Sequence, residues 1–482
     1  MEVPDHQPNE PQGADLHMTE LEEELQHPPA HERAARVVWL LAWPAVALNS
    51  LQVINTLLDR GFIGHLEQAA LTAQGGSTNV MFLMFSLAMA LGTAATALVS
   101  RAFGAGQIEQ FRMAARQSVS VAVGVGLVLA VAGALLAHPS AYILLPPKDA
   151  AAIRLMGQYL TAYATGLPAI YLIQTLAGSL RGIGDTKSPM VISGLQILLH
   201  ITLNFILIFP PRQTTVGITI PGFNLGLVGA GYALSISAWV AAVVYLLYTV
   251  RTPLGELWRF SIPSASWVKR IFRIAIPAAG MAILRVGSLM VFTLILAHVA
   301  NGSVAIAAMS VGFAVESIMF MPAFGLSMAA AALVGQSLGM KRPERAERLA
   351  WTAGHHGALV TLCLSVPIFF AAPYIAHALV GGKDALAAEA ALLIRTLCVT
   401  ETMFAYAMVM IGAMQGAGDT TRPFWITVIC MWGLRVPLAY VAAVTLNFGA
   451  AGAWFAMSFT QAVQGVFAVW LFRQGQWKLK KV

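Results

Sequence analysis

GSLRGIGDTKSPM at Gly178–Met190 returns as GAMQGAGDTTRPF at Gly412–Phe424. Six of the thirteen positions agree: Gly178/Gly412, Gly182/Gly416, Gly184/Gly418, Asp185/Asp419, Thr186/Thr420 and Pro189/Pro423. The copies stand 234 residues apart in a chain of 482, close to half its length, and each sits between long apolar runs. The chain therefore reads as a duplication. A duplicated membrane half is one way to build two lobes around a central site.

The similarity spreads outward from the motif. Leu98-Val99 and Gly104 match Leu333-Val334 and Gly339, Glu109 matches Glu344, and Pro44 matches Pro277. The offset is 233–235 over these positions and falls to 223 at Gly226/Gly449, which locates an extra stretch of about eleven residues at 210–223. Six apolar runs fall in each copy. An even number returns the second copy to the side where the first began, so the repeats are parallel, related by an axis along the membrane normal.

Composition agrees. Hydrophobic residues make up 58% of the chain and charged residues 11%, against about 25% charged in soluble domains; mean hydropathy is +0.71. A helix needs about 20 apolar residues to cross a bilayer. Twelve runs qualify, near 36–60, 69–98, 114–137, 154–179, 188–209 and 226–250, then 268–298, 303–334, 350–377, 385–413, 423–446 and 449–472. The expected fold is an all-α membrane protein of 12 transmembrane helices in two six-helix repeats. Its units are an acidic, Pro-rich disordered tail (1–32), an N-terminal lobe (33–250), a linker (251–267), a C-terminal lobe (268–472) and a basic tail (473–482). With the N-terminus in the cytoplasm, 21 Lys and Arg fall on that side and only Lys148, Arg154, Arg212 and Lys383 on the other. This asymmetry puts both termini in the cytoplasm. The net charge of +7 thus belongs to membrane loops and is no nucleic-acid signal.

Each GxGDTxxP copy suits a tight corner. The glycines permit the turn, Asp caps the next helix and Pro fits its first turn. Asp185 and Asp419 are accordingly structural. The three cysteines form no CxxC, the His355-His356 pair has no HExxH around it, and no Walker or GxSxG motif occurs. A metal site, ATP-driven transport and serine hydrolysis all lack support, and the chain is not expected to be an enzyme.

Polar residues inside spans carry more information, because intramembrane ionisable groups are expensive and mark function. Asn49, Gln52, Asn55 and Asp59 line one face of the first span, and Gln196, His200 and Asn204 one face of the fifth. Two readings stand for each stripe: Asp59, with Arg60 beside it, is an interfacial anchor or lines a water-filled cavity, and the fifth-span residues simply join helices or place Asn204 and His200 facing Asp59 as a proton-coupling group. The second half carries Arg285, Glu316, Glu401 and Arg435 inside spans, for an architectural ion pair such as Arg285–Glu316 or for substrate contact. The expected cavity residues are Gln52, Asn55, Gln74, Arg285, Glu316 and Glu401. Met and Phe residues of the second and eighth spans suit varied apolar ligands or ordinary packing.

The segments LRGIGDTKSP, MQGAGDTTRP, LVSRAFGAG, LVGQSLGMKRPERA, RVPLAY (Arg435–Tyr440) and LDRGFIGHLEQAALTAQG (Leu58–Gly75) resemble those of the multidrug and toxic compound extrusion (MATE) transporters, the last in the DinF-like branch. The resemblance implies a V-shaped pair of lobes exchanging substrate against protons or sodium ions. It puts Asp59 on that branch's first-span acid, implicated in proton coupling, and Asn204 on its fifth-span Asn. Two positions depart from the pattern. Ile208 stands where many relatives carry a second acid, and Arg285 stands where some carry a Glu, which disfavours sodium. The expected function is an inner-membrane antiporter exporting amphipathic organic cations in exchange for H+, acting as a monomer on small molecules and contacting membrane lipid, without cofactor or nucleic acid. The alternatives are an organic-anion (citrate-like) exporter, a lipid-linked precursor flippase and a non-transporting receptor.

Overall fold

The computed structural model describes residues 31–213, 219–258, 261–381 and 384–480. The expected N-terminal tail lies outside these up to residue 30, as do Arg259, Lys383 and Lys481 of the charge tally. In the first half the helices are α1 (His31–Gly64), α2 (Gln68–Gly104), α3 (Ile108–Leu144), α4 (Ala150–Ala164), α5 (Leu167–Gly182), α6 (Lys187–Ile208) and α7 (Gly226–Thr249). The second half has α8 (Ala265–Ala297), α9 (Gly302–Gly339), α10 (Pro343–Val380), α11 (Asp384–Gly416), α12 (Thr421–Thr445) and α13 (Gly449–Arg473). A two-stranded ribbon, β1 (Arg212–Gln213) against β2 (Thr219–Ile220), occupies the extra stretch of the first half.

Eleven helices among the described residues are long and apolar enough to span a bilayer. The twelfth passage, expected as one run over 154–179, is broken into α4 and α5. The cause is local. A side chain on Gly166 would collide with Ser235, and Pro168, at the start of α5, has no N–H to give. A break inside a membrane needs partners for the carbonyls it frees. Helix α7 supplies them: Ser235 Oγ donates to the Ala162 carbonyl (2.7 Å) and Trp239 Nε1 to the Thr165 carbonyl (3.0 Å). Helix α12 is irregular in another way, containing two wide π-turn segments, Val428–Arg435 and Val441–Thr445.

Both motif copies form a tight corner, but only the first uses its Asp as the expected cap. Gly184 (φ +94°) and Gly418 (φ +82°) take the left-handed conformation that glycine tolerates. Asp185 Oδ1 accepts from the Ser188 N–H (3.0 Å), and its Oδ2 accepts from the Tyr248 hydroxyl (3.0 Å). Asp419, fully buried, is paired instead with Arg422 (2.5 Å) and Lys480 (3.6 Å). Lys480 reaches it because the chain after α13 folds back. Trp477 is fully buried and stacks on Phe472 at 4.7 Å.

Within lipid, apolar surface gives helices no reason to associate, so small residues and close packing must. The motif glycines do this twice over. A side chain on Gly178 would strike the Gly92 carbonyl, and one on Gly412 would strike Ser327, the repeat equivalent of Gly92. Ser327 Oγ in turn donates to the Met408 carbonyl (2.8 Å).

Helices α1 and α8 tie the halves together. Val38, Leu41 and Ala42 of α1 are buried in the second half's core, with Leu326, Ala329 and Leu333 of α9. Their equivalents at offset 233, Ile271, Ile274 and Ala275 of α8, are buried in the first half's core. Further along, Ile63 of α1 returns to its own half, and its equivalent Leu296 of α8 does the same. Each helix therefore starts in one half's core and ends in the other's.

Candidate functional site

The stripes on α1 and α6 meet away from the motif corners. His200 Nε2 lies 3.0 and 3.2 Å from the two Asp59 oxygens, and Asn204 Nδ2 lies 2.7 Å from Asp59 Oδ1. Asn204 Nδ2 and His200 Nε2 are 3.2 Å apart. The i, i+4 spacing stacks His200 over Asn204 on one face of α6. His200 and Asn204 are buried, whereas the Asp59 side chain keeps 26% of its surface exposed. The acid sits at the edge of the packed lobe with two buried partners behind it. Tyr159 of α4 also lies within electrostatic reach of Asp59, and Phe62, Phe205 and Phe209 pack as an aromatic trio nearby in sequence. Ile208 is buried in the apolar cluster with Ile63 and Leu160.

Three polar atoms beside this acid have no hydrogen-bond partner among the described residues: His200 Nδ1, Asn204 Oδ1 and Asn55 Oδ1. They leave the cluster able to offer Asp59 either donors or acceptors. An ionised carboxylate can only accept, so His200 Nε2 and the Asn204 amide then both donate to it. A protonated Asp59 must donate, and two acceptors stand ready. His200 Nε2 accepts if the imidazole proton moves to the open Nδ1. The Asn204 amide accepts by turning its open Oδ1 inward. Gln52 and Gln74 make no side-chain hydrogen bond among the described residues, and neither joins this cluster.

The second half holds a larger polar group. Gln461 Nε2 donates to Glu316 Oε1 (2.9 Å), while Gln461 Oε1 accepts from Thr400 Oγ1 (3.4 Å). Arg435 Nε donates to Thr460 Oγ1 (3.0 Å), from the end of a π-turn segment of the kind found at functional sites. Glu316 interacts electrostatically with Arg285, Arg435 and Glu401. The structure thus gathers the four second-half charges, and no direct ion pair joins Arg285 to Glu316 among the described residues. Glu401 is fully buried, and among the described residues neither of its carboxylate oxygens has a hydrogen-bond partner, nor does Arg285 Nε. The sequence reading did not include Gln461, Thr460 and Thr400. The polar run Thr460-Gln461 inside an apolar span was the signal available for two of them.

Duplicated helical halves, each with a polar cluster among its spans, are the architecture on which many transporters are built. The family model MatE matches residues 44–206 and again 277–441. The chain belongs to the MatE family, a family of transporters and not of enzymes. It is 29% identical over 448 residues to the probable multidrug resistance protein NorM of Thermotoga maritima, covering 92% of this chain and 93% of that one. It is 23% identical to DETOXIFICATION 30 of Arabidopsis thaliana, covering 91% and 86%. Among solved structures, one described as the outward-facing conformation of a multidrug resistance MATE family transporter superposes with a TM-score of 0.84 at 22% identity, covering 95% of this chain and 98% of the other. A MOP superfamily transporter from Pyrococcus furiosus, described as having a binding pocket of reversed polarity, superposes at 0.80 with 22% identity over 95% and 98%. These likenesses establish the fold.

Proposed function

We propose that this chain is a proton-coupled multidrug antiporter of the inner membrane, with both termini in the cytoplasm. It exports amphipathic organic cations by alternating access between two lobes, residues 33–250 and 268–472. The names of its relatives support efflux of drug-like molecules, and the Lys/Arg asymmetry supports the orientation. The observation that carries the coupling is the Asp59–His200–Asn204 cluster, where one partly exposed carboxylate has both donors and acceptors at hand. Its composition also supports a place in the DinF-like branch.

In the cycle, Asp59 starts ionised and held by His200 and Asn204. A proton arriving from outside neutralises the acid, the two partners reverse their roles as described, and the grip of α6 on α1 changes. That change is the event that disfavours the substrate-bound arrangement. Glu316 and Glu401 supply negative charge for a cationic substrate, with Gln52, Asn55 and Gln74 as polar contacts. The absence of a second acid at Ile208 and of a Glu at Arg285 leaves few hard oxygen ligands for sodium.

A second reading is favoured by one observation. Arg285 and Arg435 balance the two glutamates of the same cluster, so an organic anion is a possible cargo. Flux in proteoliposomes under an imposed pH gradient against a sodium gradient, with a dye cation and citrate as competitors, decides between them. Proton-driven dye export inhibited by other cations is the expected result; citrate competition with no dye transport would replace the cation reading.

A further inference from the structure

The duplicated corner has a role that tight turning alone does not use. Helices α5 and α11 end in the two corners, and the last carbonyls of any helix lack intrahelical partners and carry partial negative charge. In both corners such a carbonyl is taken by a side chain from the opposite half. Gln336 of α9 donates through Nε2 to the Gly182 carbonyl (3.0 Å). Arg101 of α2 donates through Nη1 to the Ala417 carbonyl (3.5 Å). Arg101 and Gln336 are repeat equivalents at offset 235, and their acceptors are equivalent to within one residue.

The backbones make this exchange possible by approaching very closely. A side chain on Gly104 would run into the Gln336 backbone, and one on Gly339 would run into Arg101 and Ala105. These two glycines are themselves equivalents. A Cβ on Gly335 would lie 2.9 Å from Ser100 Cβ and 3.0 Å from the Gly416 carbonyl. Gln336 is fully buried in this contact. At the corner end, then, α2 and α9 cross with glycine against backbone, and each sends one side chain into the other half's corner.

We propose that the two GxGDTxxP corners are the receptors of a reciprocal lock that shuts this end of the transporter, with Arg101 and Gln336 as the positioning residues that engage them. Opening this end breaks both bonds together and separates the glycine-lined crossing. Asp185 and Asp419 brace the two corners and so set where the receptor carbonyls stand when the lock is engaged. The lock rests on the alternating-access reading above, but its test is a distance and not transport, so the lock and the Asp59 coupling fail separately.

Spin labels at the exposed, equivalent positions Glu109 and Glu344, in purified full-length chain with Cys363, Cys398 and Cys430 replaced, report the width of this end by double electron–electron resonance. Arg101→Ala and Gln336→Ala are each expected to lower the closed-to-open ratio about fivefold, and the double variant about 25-fold, the factors set by one and two net hydrogen bonds. Arg101→Gln, which supplies the donor that the other half already uses, is expected to restore the wild-type ratio. Hydrogen exchange over residues 414–422 reads the same opening with the native cysteines in place. Wild-type distances and exchange in Arg101→Ala, or Arg101→Gln behaving as Arg101→Ala, would overturn the lock. The Arg101 variants decide the matter even if Gln336→Ala does not fold.

Discussion

Replacing Asp59 separates the acid's proton chemistry from its structural part. Asp59 accepts from two buried donors, His200 Nε2 and Asn204 Nδ2, through three contacts of 2.7–3.2 Å. Asp59→Ala leaves both donors without a partner, at about 1–3 kcal/mol each, or roughly 2–6 kcal/mol together. Asp59→Asn keeps one acceptor oxygen of the same size and strands at most one donor, so its cost is about 1–3 kcal/mol. The partial exposure of the acid puts both figures towards their lower ends, since water reaches the gap. Neither variant takes up a proton at this position. Expected thermal stability therefore falls in the order wild type, Asp59→Asn, Asp59→Ala, while proton-driven export is lost equally in both variants. The assays are a thermal scan of purified protein and dye flux in proteoliposomes under a pH gradient. Wild-type flux in folded Asp59→Asn would refute the coupling role. Equal stability of the two variants would show that His200 and Asn204 do not depend on the acid.

Removing Gln461 as Gln461→Ala strips Glu316 of its hydrogen-bond donor, and the expected outcome is a loss of about 0.6 kcal/mol, up to about 1.7, the range for polar contacts between membrane helices, together with weaker dye binding measured by fluorescence polarisation. Trp239→Phe removes the side-chain donor to the Thr165 carbonyl at the α4/α5 break, whereas after Ser235→Ala the Ala162 carbonyl still accepts from Thr165 Oγ1 (2.7 Å); a double-mutant cycle read by thermal unfolding should show the larger loss for Trp239→Phe and additive effects, because the two bonds go to different carbonyls. Gly178→Leu and Gly412→Leu place a branched side chain at equivalent backbone contacts, so both should reduce membrane-inserted yield in quantitative blots to a similar degree. Arg285→Glu makes the second-half cluster more acidic, and competition assays should then favour cations over citrate more strongly than in wild type.

Much of this architecture is legible in the sequence because the bilayer imposes simple rules. Span length, the even number of spans and the offset between copies follow from hydropathy and self-comparison alone. Asp59, His200 and Asn204 are legible as well, since charged and amide residues at helical spacing stand out against Leu and Ile. The break at Gly166 was not legible: glycine and proline are tolerated in membrane helices, and only the position of Ser235 and Trp239 on a separate helix shows that the freed carbonyls have partners. The fold-back of Trp477 was hidden for a related reason, because the basic residues around it read as a solvated tail. Arg435 finding Thr460, and Gln461 bridging Glu316 to Thr400, depend on which helices become neighbours, and spacing along one helix carries no information about that.

The shared helices α1 and α8 have a bearing on ancestry and on engineering. Had the two copies once been separate chains, each would have lent its leading segment to a sibling, and the pair would have been an intertwined homodimer before fusion. The same reciprocity means that neither half, made by itself, would have a finished interior. Residues 31–258 would present Val38, Leu41 and Ala42 with no host and leave open the slot that Ile271, Ile274 and Ala275 fill, so severed fragments should be recovered only when both are synthesised in one cell.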